Sequence, residues 1–102
     1  MVQIVENWSQ IEGEVRSVRP DPELPGYLVA SVQVVSADPV SKPEGADFPN
    51  LLAESAGKAV EIHFPERAAA ENQVAAGRRV SARVRRATPT RSFADPRHLS
   101  VE

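Results

Sequence analysis

The stretch that decides the fold is residues 27–35, which read YLVASVQVV. Its side chains alternate with a period of two, which is typical of a β-strand that buries one face. The face expected to point inward carries Leu28, Ala30, Val32 and Val34. The face expected to point outward carries Tyr27, Val29, Ser31, Gln33 and Val35. This is the strongest strand signal in the chain, and the other elements are placed around it.

The segments on either side predict two further strands. Residues 11–18, IEGEVRSV, alternate in the same way, and Gly13 predicts a bulge or bend that lets this strand coil. Residues 19–26, RPDPELPG, hold three prolines and a glycine and therefore predict a turn. Residues 58–64, KAVEIHF, predict a third strand whose inward side chains are Val60, Ile62 and Phe64.

The segment between the second and third strands, residues 36–58, is predicted to be a long loop. Asn50 is expected to cap a single helical turn over residues 51–56, which Gly57 would end. The loop is longer than the usual limit of about 12–15 residues, and loops of that length are often functional.

The last third of the chain predicts a short helix and two strands. Residues 66–76 are rich in alanine and precede Gly77, a combination that favours a helix with a glycine end. Residues 78–86 predict a fourth strand, and residues 98–102 a fifth. Residues 87–97, which contain Pro89 and Pro96, are predicted to form a polar loop between them. The inward side chains of the fourth strand would be Val80, Ala82 and Val84.

Composition narrows the class of protein. The chain has 102 residues, which fits one domain over residues 1–102, with residues 1–10 as a lead-in. It has no cysteine, which excludes disulfides, a zinc ribbon and a thiol nucleophile. The first ten residues do not read as a signal peptide, and no apolar run approaches the length of about 18 residues needed to span a membrane. We therefore expect a cytoplasmic protein that does not enter the membrane.

The order of elements (three strands, a short helix, two strands) resembles the OB-fold superfamily over residues 11–102. The residues that carry the resemblance are Gly13 in the first strand, the alanine-rich helix ending at Gly77, and the Val80, Ala82 and Val84 strand. The resemblance implies an all-β, five-stranded OB-type Greek-key barrel with a short helix between strands 3 and 4. Its strands would run 1-2-3-5-4 around the barrel. The alternatives are an SH3-like barrel, against which the helix argues, and an open five-stranded sheet.

Arginines are the candidate binding residues. Residues 1–77 carry a net charge of −7, whereas residues 78–102 carry seven arginines and a net charge of +5. On the fourth strand, Arg83 and Arg85 are expected either to lie beside Glu12 and Glu14 as cross-strand pairs or to contact a binding partner. The predicted loop between strands 4 and 5 holds three arginines without such partners, which are therefore expected to contact a binding partner: Arg86, Arg91 and Arg97.

Catalytic and metal chemistry find little support in the chain. There is no Gly-rich phosphate loop and no Gly-x-Ser-x-Gly elbow, and an exposed pair of ionised carboxylates such as Glu12 and Glu14 does no acid–base work. His63 and His98 are expected to be solvated surface residues, although neighbouring strands 3 and 5 would let them approach each other. We expect no enzyme activity, no metal site and no cofactor.

Two classes of binding partner remain. The resemblance implies that ligands meet the outer face of strands 2 and 3, where Tyr27 is the one aromatic residue and no lysine or arginine occurs. That composition favours a protein partner, with Phe48, Leu51 and Leu52 either plugging one end of the barrel or anchoring the partner. Trp8 is likewise expected either to cover one end of the barrel or to anchor the partner. Single-stranded nucleic acid, held by the arginines between strands 4 and 5, is the alternative.

Overall fold

The computed structural model describes residues 4–102, and its fold is all-β, as predicted. Five strands form one sheet: β1 (Ser9–Pro20), β2 (Tyr27–Pro39), β3 (Ala59–Pro65), β4 (Arg79–Thr88) and β5 (Arg91–Val101). They are hydrogen-bonded in the order β1-β2-β3-β5-β4, and β4 pairs back with β1, so the sheet closes in a ring. Neighbouring strands are antiparallel, except that β3 and β5 are parallel. No helix in this part of the chain is long and apolar enough to cross a membrane.

The core lies inside the ring and follows the predicted alternation. On β2, Ala30, Val32 and Val34 are at most 1% exposed, and Leu28 lies partly buried against them. The inward residues of β3 and β4 behave in the same way, with Phe64 the largest fully buried side chain. Val29 departs from the pattern, because it sits on the outer face of β2 and is nevertheless only 2% exposed.

Gly13 forms the predicted irregularity in β1. The register between β1 and β2 shifts between Glu12 and Gly13, and again between Val15 and Ser17. A Cβ atom at position 13 would lie 2.5 Å from the carbonyl oxygen of Gln33 and 2.8 Å from a methyl group of Val32. Only glycine therefore allows the two backbones to approach this closely, and the bulge bends β1 so that it pairs with both β2 and β4.

The helix α1 (Glu66–Glu71) is shorter than predicted and does not end at Gly77. The chain leaves it at Gln73, whose φ of 57° lies in the left-handed region. The backbone N–H groups of Gln73 and Val74 then donate to the carbonyl oxygens of Ala70 and Ala69, which is the Schellman arrangement. Ending the helix here turns Val74 into the core, where it is 8% exposed.

The prediction of a polar loop over residues 87–97 is wrong. β4 continues to Thr88 and β5 begins at Arg91, so a tight turn joins them and most of the segment is strand. Pro96 is accommodated because the register between β4 and β5 is irregular beside it. Ala82 pairs with Leu99 and Val84 pairs with Ala94, so residues 95–98 bulge out opposite Arg83.

The segment of residues 36–58 is more ordered than a loop. β2 runs on to Pro39, Ser41 pairs with Asp47 in an isolated bridge, and a 3₁₀ turn covers Ala53–Ser55. Asn50 does not cap that turn. Its side chain instead donates to the carbonyl oxygen of Ala37 at 3.1 Å and accepts a hydrogen bond from the Ser9 hydroxyl.

Candidate binding groove

One row of cross-strand neighbours on the outer face of the sheet crosses all five strands. We call it the outer row, and it consists of Arg19 on β1, Val29 on β2, His63 on β3, Phe93 on β5 and Arg85 on β4. Side chains that oppose each other on neighbouring strands interact directly. The two ends of this row differ, and the difference places the candidate site.

At the β1–β3 end of the outer row, hydrogen bonds hold the connection between β1 and β2 against the outer face of the sheet. Asp21 Oδ1 accepts hydrogen bonds from the backbone N–H groups of Glu23 and Leu24, at 2.9 and 3.1 Å. Asp21 Oδ2 lies 2.7 Å from Nδ1 of His63. These backbone hydrogen bonds hold the pKa of the Asp21 carboxyl below its ordinary value, against the opposing effect of burial. Since a carboxylate only accepts, His63 Nδ1 carries the proton and donates it.

The expectation of a solvated His63 is therefore wrong. Its side chain is 10% exposed, and its ring stacks on Phe93 with centroids 4.9 Å apart. His98 has a separate partner, since its Nε2 lies 4.0 Å from Asp95 Oδ2. In residues 4–102, no group of three or more His, Asp or Glu side chains could hold a metal ion.

The remaining charges at this end are also paired. Arg19 donates to Glu61 at 2.8 Å, and Arg91 forms an ion pair with Glu23. Together with the Asp21–His63 contact, these pairs cover the outer face of β2 and β3, which explains why Val29 is buried. Arg91 was predicted to face a partner from a loop. The structure instead places it on a strand, with a carboxylate of the same chain.

At the β4–β5 end the surface opens into a groove of about 560 Å³. Three aromatic side chains line it, namely Trp8, Tyr27 and Phe93. The Tyr27 and Phe93 rings meet edge to face, with centroids 5.6 Å apart and planes at 83°. The chain has only five residues of the Phe, Trp and Tyr types, so most of its aromatic side chains lie here. We call this the aromatic groove, and its other lining residues are Leu24, Pro65, Arg85, Ala94, Asp95, Pro96 and Arg97.

Trp8 reaches the groove because the segment before β1 is hydrogen-bonded to β4 and to the connection between β2 and β3. The Asn7 amide accepts from the backbone N–H of Arg86 at 2.8 Å and donates to its carbonyl oxygen at 2.9 Å. The backbone N–H of Trp8 donates to the carbonyl oxygen of Pro49 at 3.2 Å. Asn7 is 2% exposed, so this attachment is part of the fold and positions the indole.

The bulge at residues 95–98 supplies the charged wall of the groove. Asp95 Oδ1 accepts from the backbone N–H of Arg97 at 3.0 Å and from its Nε at 3.3 Å. Burial raises the pKa of the Asp95 carboxyl, but the hydrogen bonds and charge of Arg97 outweigh it, so the pKa lies below its ordinary value. The Arg97 side chain remains 83% exposed, with its guanidinium held at the groove edge.

The predicted pairs of Arg83 and Arg85 with Glu12 and Glu14 do not form. In the register between β1 and β4, Arg83 opposes Gln10 and Glu14 opposes Arg79, while Glu14 forms its ion pair with Arg16 at 3.2 Å. No carboxylate of residues 4–102 forms an ion pair with Arg83, Arg85 or Arg86. Arg83 lies with Arg97 and His98 in a hollow that continues from the aromatic groove.

The structure places some of the predicted binding residues near the aromatic groove and the others away from it. The structure brings Tyr27, Arg85 and Arg97 together in the aromatic groove. Arg83 lies in a second hollow that shares Arg97 with the groove, and Arg86 lies in a third that Trp8 and Arg85 also line. Arg83 and Arg85 lie on a strand as predicted, whereas Arg86 and Arg97 also lie on strands and not in a loop as predicted. Arg91 lies at the β1–β3 end of the outer row, which we call the paired end because its arginines form ion pairs within the chain. Phe48 lies in the connection between β2 and β3, and the Lys42 ammonium is 5.4 Å from the centre of its ring. Of the apolar residues in that connection, Leu52 is buried in the core and Leu51 is 37% exposed.

Sequence reasoning missed Phe93 and Asp95. A signal was present for Phe93, because Arg91 and Phe93 alternate with the buried Ser92 and Ala94 as a strand requires, whereas Asp95 is buried out of phase at the start of the bulge. Pro89 and Pro96 concealed it, since prolines at this spacing are typical of a loop. No protein family, curated protein or solved structure matches the chain.

Proposed function

We propose that this chain is a non-catalytic binding module of the OB type and that its aromatic groove binds single-stranded nucleic acid. The OB-type Greek-key assignment is supported by the strand order, by the parallel β3–β5 pair, and by α1 between β3 and β4. In this class of fold, ligands meet the outer face of strands 2 and 3, the loop between strands 4 and 5, and the loop between strands 1 and 2. Leu24 of that loop lines the groove here.

The observation that carries the proposal is the combination of aromatic rings with two arginines: Arg85, which has no carboxylate partner in residues 4–102, and Arg97, which uses only its Nε on Asp95. Proteins that bind single strands stack bases on aromatic side chains and track the phosphates with basic groups. The groove supplies Trp8, Tyr27 and Phe93 for stacking, and Arg85 and Arg97 stand beside them. The net charge of −2 belongs to the whole chain, whereas the lining of the groove carries two arginines and one carboxylate, Asp95.

The experiment is a titration of a fluorescein-labelled oligothymidylate with the protein, followed by fluorescence anisotropy from about 50 to 200 mM salt. For single strands, the logarithm of the affinity falls by about 0.7 per neutralised phosphate for each unit of log salt. We expect Arg85→Ala to reduce this slope by about 0.7. We expect Trp8→Ala to lower the affinity about tenfold at every salt concentration, because stacking contributes about 1–3 kcal/mol per base.

The matched control is Arg67→Ala. Arg67 is 92% exposed on α1 and pairs with Glu71 at 3.1 Å, so this variant removes the same charge at a position outside the groove. It should leave both affinity and slope unchanged. Equal losses in Arg67→Ala and Arg85→Ala would mean that the protein attracts polyanions without using the groove, which contradicts the proposal.

A protein partner is the second candidate, and the apolar part of the same groove favours it. Leu24, Pro65 and Pro96 line the groove beside the aromatic rings, and an extended peptide docks on surfaces of this kind. Apolar contacts are insensitive to salt, whereas phosphate contacts weaken as salt rises. Failure to bind any oligonucleotide at low salt would move the assignment to a peptide ligand.

A further inference from the structure

Asp95 has one carboxylate oxygen without a hydrogen-bond partner. Its side chain is 8% exposed, and Oδ1 accepts both hydrogen bonds from Arg97. In residues 4–102 no donor makes a hydrogen bond to Oδ2, and its one ion-pair contact is His98 Nε2 at 4.0 Å. The Asp95 carboxylate is therefore largely buried, and its second oxygen is completed by solvent or by a ligand and not by the described part of the chain.

The free oxygen is reached by solvent, and Asp95 is one of the residues that line the aromatic groove. Among residues 4–102, no fully enclosed side-chain nitrogen or oxygen lacks a hydrogen-bond partner. Because Oδ2 has no such partner, solvent must reach it, and the surface that Asp95 lines is the aromatic groove. A ligand stacked on the aromatic rings would therefore meet a charged acceptor.

Arg97 places donors beside that acceptor. Its Nε is occupied by Asp95, whereas its terminal nitrogens make no hydrogen bond to residues 4–102, and the side chain is largely exposed. Guanidinium and carboxylate thus stand together at the groove edge, one able only to donate and the other only to accept.

We propose that Asp95 and Arg97 make the groove selective for guanine. The Watson–Crick edge of guanine offers the O6 acceptor next to the N1–H and N2–H donors, which is the complement of an arginine beside a carboxylate. Thymine offers one N–H between two carbonyl oxygens, which the carboxylate repels. This inference rests on the proposed function, and it adds that the groove distinguishes between bases as well as stacking them.

The test compares a set of labelled oligothymidylates whose central base is thymine, guanine, hypoxanthine or cytosine, again by anisotropy. Guanine should bind about tenfold more tightly than thymine, within the range for a good two-bond base contact. Hypoxanthine keeps O6 and N1–H but lacks the N2 amino group, so it should lose part of this gain and bind with an affinity between those of guanine and thymine. The hypoxanthine comparison uses the unaltered protein and so does not depend on how a variant folds.

The Asp95→Asn variant completes the test. Asparagine keeps an oxygen for the Arg97 backbone N–H but loses the charged acceptor, so the ratio of the guanine affinity to the thymine affinity should fall to about one. A preference that survives in Asp95→Asn, or equal affinities for guanine, hypoxanthine and thymine in the unaltered protein, would overturn this inference and leave nucleic-acid binding standing. Cytosine binding as tightly as guanine would also overturn it. No binding of any oligonucleotide would overturn both proposals.

Discussion

Arg19 and Arg85 stand at opposite ends of the same outer row and have opposite surroundings. Arg19 donates to Glu61 at 2.8 Å, next to the Asp21–His63 contact and the Arg91–Glu23 pair. Arg85 has no carboxylate partner in residues 4–102 and faces the aromatic groove. The comparison teaches that arginine content alone does not locate a binding surface in this protein, because the arginines near β1 and β3 are already neutralised within the fold.

The two ends meet at Phe93. Its ring stacks on His63 on one side and meets Tyr27 on the other, and its cross-strand partner on β4 is Arg85. A ligand in the groove would therefore touch a ring that the paired end holds in place. The Asp21–His63 contact does not involve the arginines of the groove. It holds the His63 ring on which Phe93 stacks, and so it supports the aromatic surface.

The largest expected effect comes from Phe93→Ala, which should lower both the stability of the fold and the affinity for oligonucleotides. Removing a fully buried Phe costs about 3–5 kcal/mol, and the half-buried Phe93 should cost about 2 kcal/mol of unfolding free energy, measured by urea denaturation. Loss of the stacking surface should also lower oligonucleotide affinity about tenfold.

Phe48→Ala is the matched control for this variant. Phe48 is also half-buried, but it lies in the connection between β2 and β3 and makes its aromatic contact with Lys42. It should leave oligonucleotide binding unchanged. If Phe93→Ala reduced stability and left affinity intact, the ring would be structural and the groove would not be the binding surface.

The sequence predicts the sheet better than the site, for a physical reason. Alternation reports which side of a strand is buried, so Val32, Phe64 and Val84 were placed in the core correctly. It does not report what covers the outer face, so the burial of Val29 and His63 beneath the β1–β2 connection was not foreseen. That burial depends on Asp21, which contacts His63 from 42 residues away along the chain.

The site itself was only partly predictable. The arginines and Tyr27 were identified from residue type, whereas their grouping depends on the bulge opposite Arg83 and on Asn7 holding Trp8 beside the sheet. Neither feature has a local signature, because each joins segments far apart in the chain. The paired state of Arg91 is likewise a tertiary contact, since Glu23 is 68 residues away.

The second effect concerns the stability of the protein in acid. The pKa of the Asp21 carboxyl is lowered in the folded state, chiefly by the Glu23 backbone N–H, so its contribution is fully present above the ordinary value of 3.8 and is lost as the pH falls below it. We expect the melting temperature to decrease when the pH is lowered past about 4. In Asp21→Asn it should be lower at pH 7 and should fall less steeply on acidification.

Asp95 contributes in the same direction, since its pKa is also lowered. The Asp21→Asn variant should therefore flatten the acid limb in part, and the double variant with Asp95→Asn should flatten it further. Oligonucleotide affinity at pH 7 separates the two carboxylates, because Asp21→Asn leaves the charged wall of the groove intact. An acid limb identical to that of the unaltered protein would show that the Asp21–His63 contact does not stabilise the fold.

The smallest expected effect is the most direct test of the comparison, because it converts a paired arginine into an unpaired one. Glu23 is 69% exposed and Arg91 30% exposed, so losing their ion pair in Glu23→Gln should cost less than about 1 kcal/mol in urea denaturation. The freed Arg91 then becomes available to phosphate, and oligonucleotide affinity at low salt should rise modestly, with a steeper salt dependence. Adding Arg91→Ala to Glu23→Gln should cancel the rise. If Glu23→Gln leaves the salt dependence unchanged, internal pairing is not what separates the two ends of the row, and the position of the aromatic rings alone selects the binding surface.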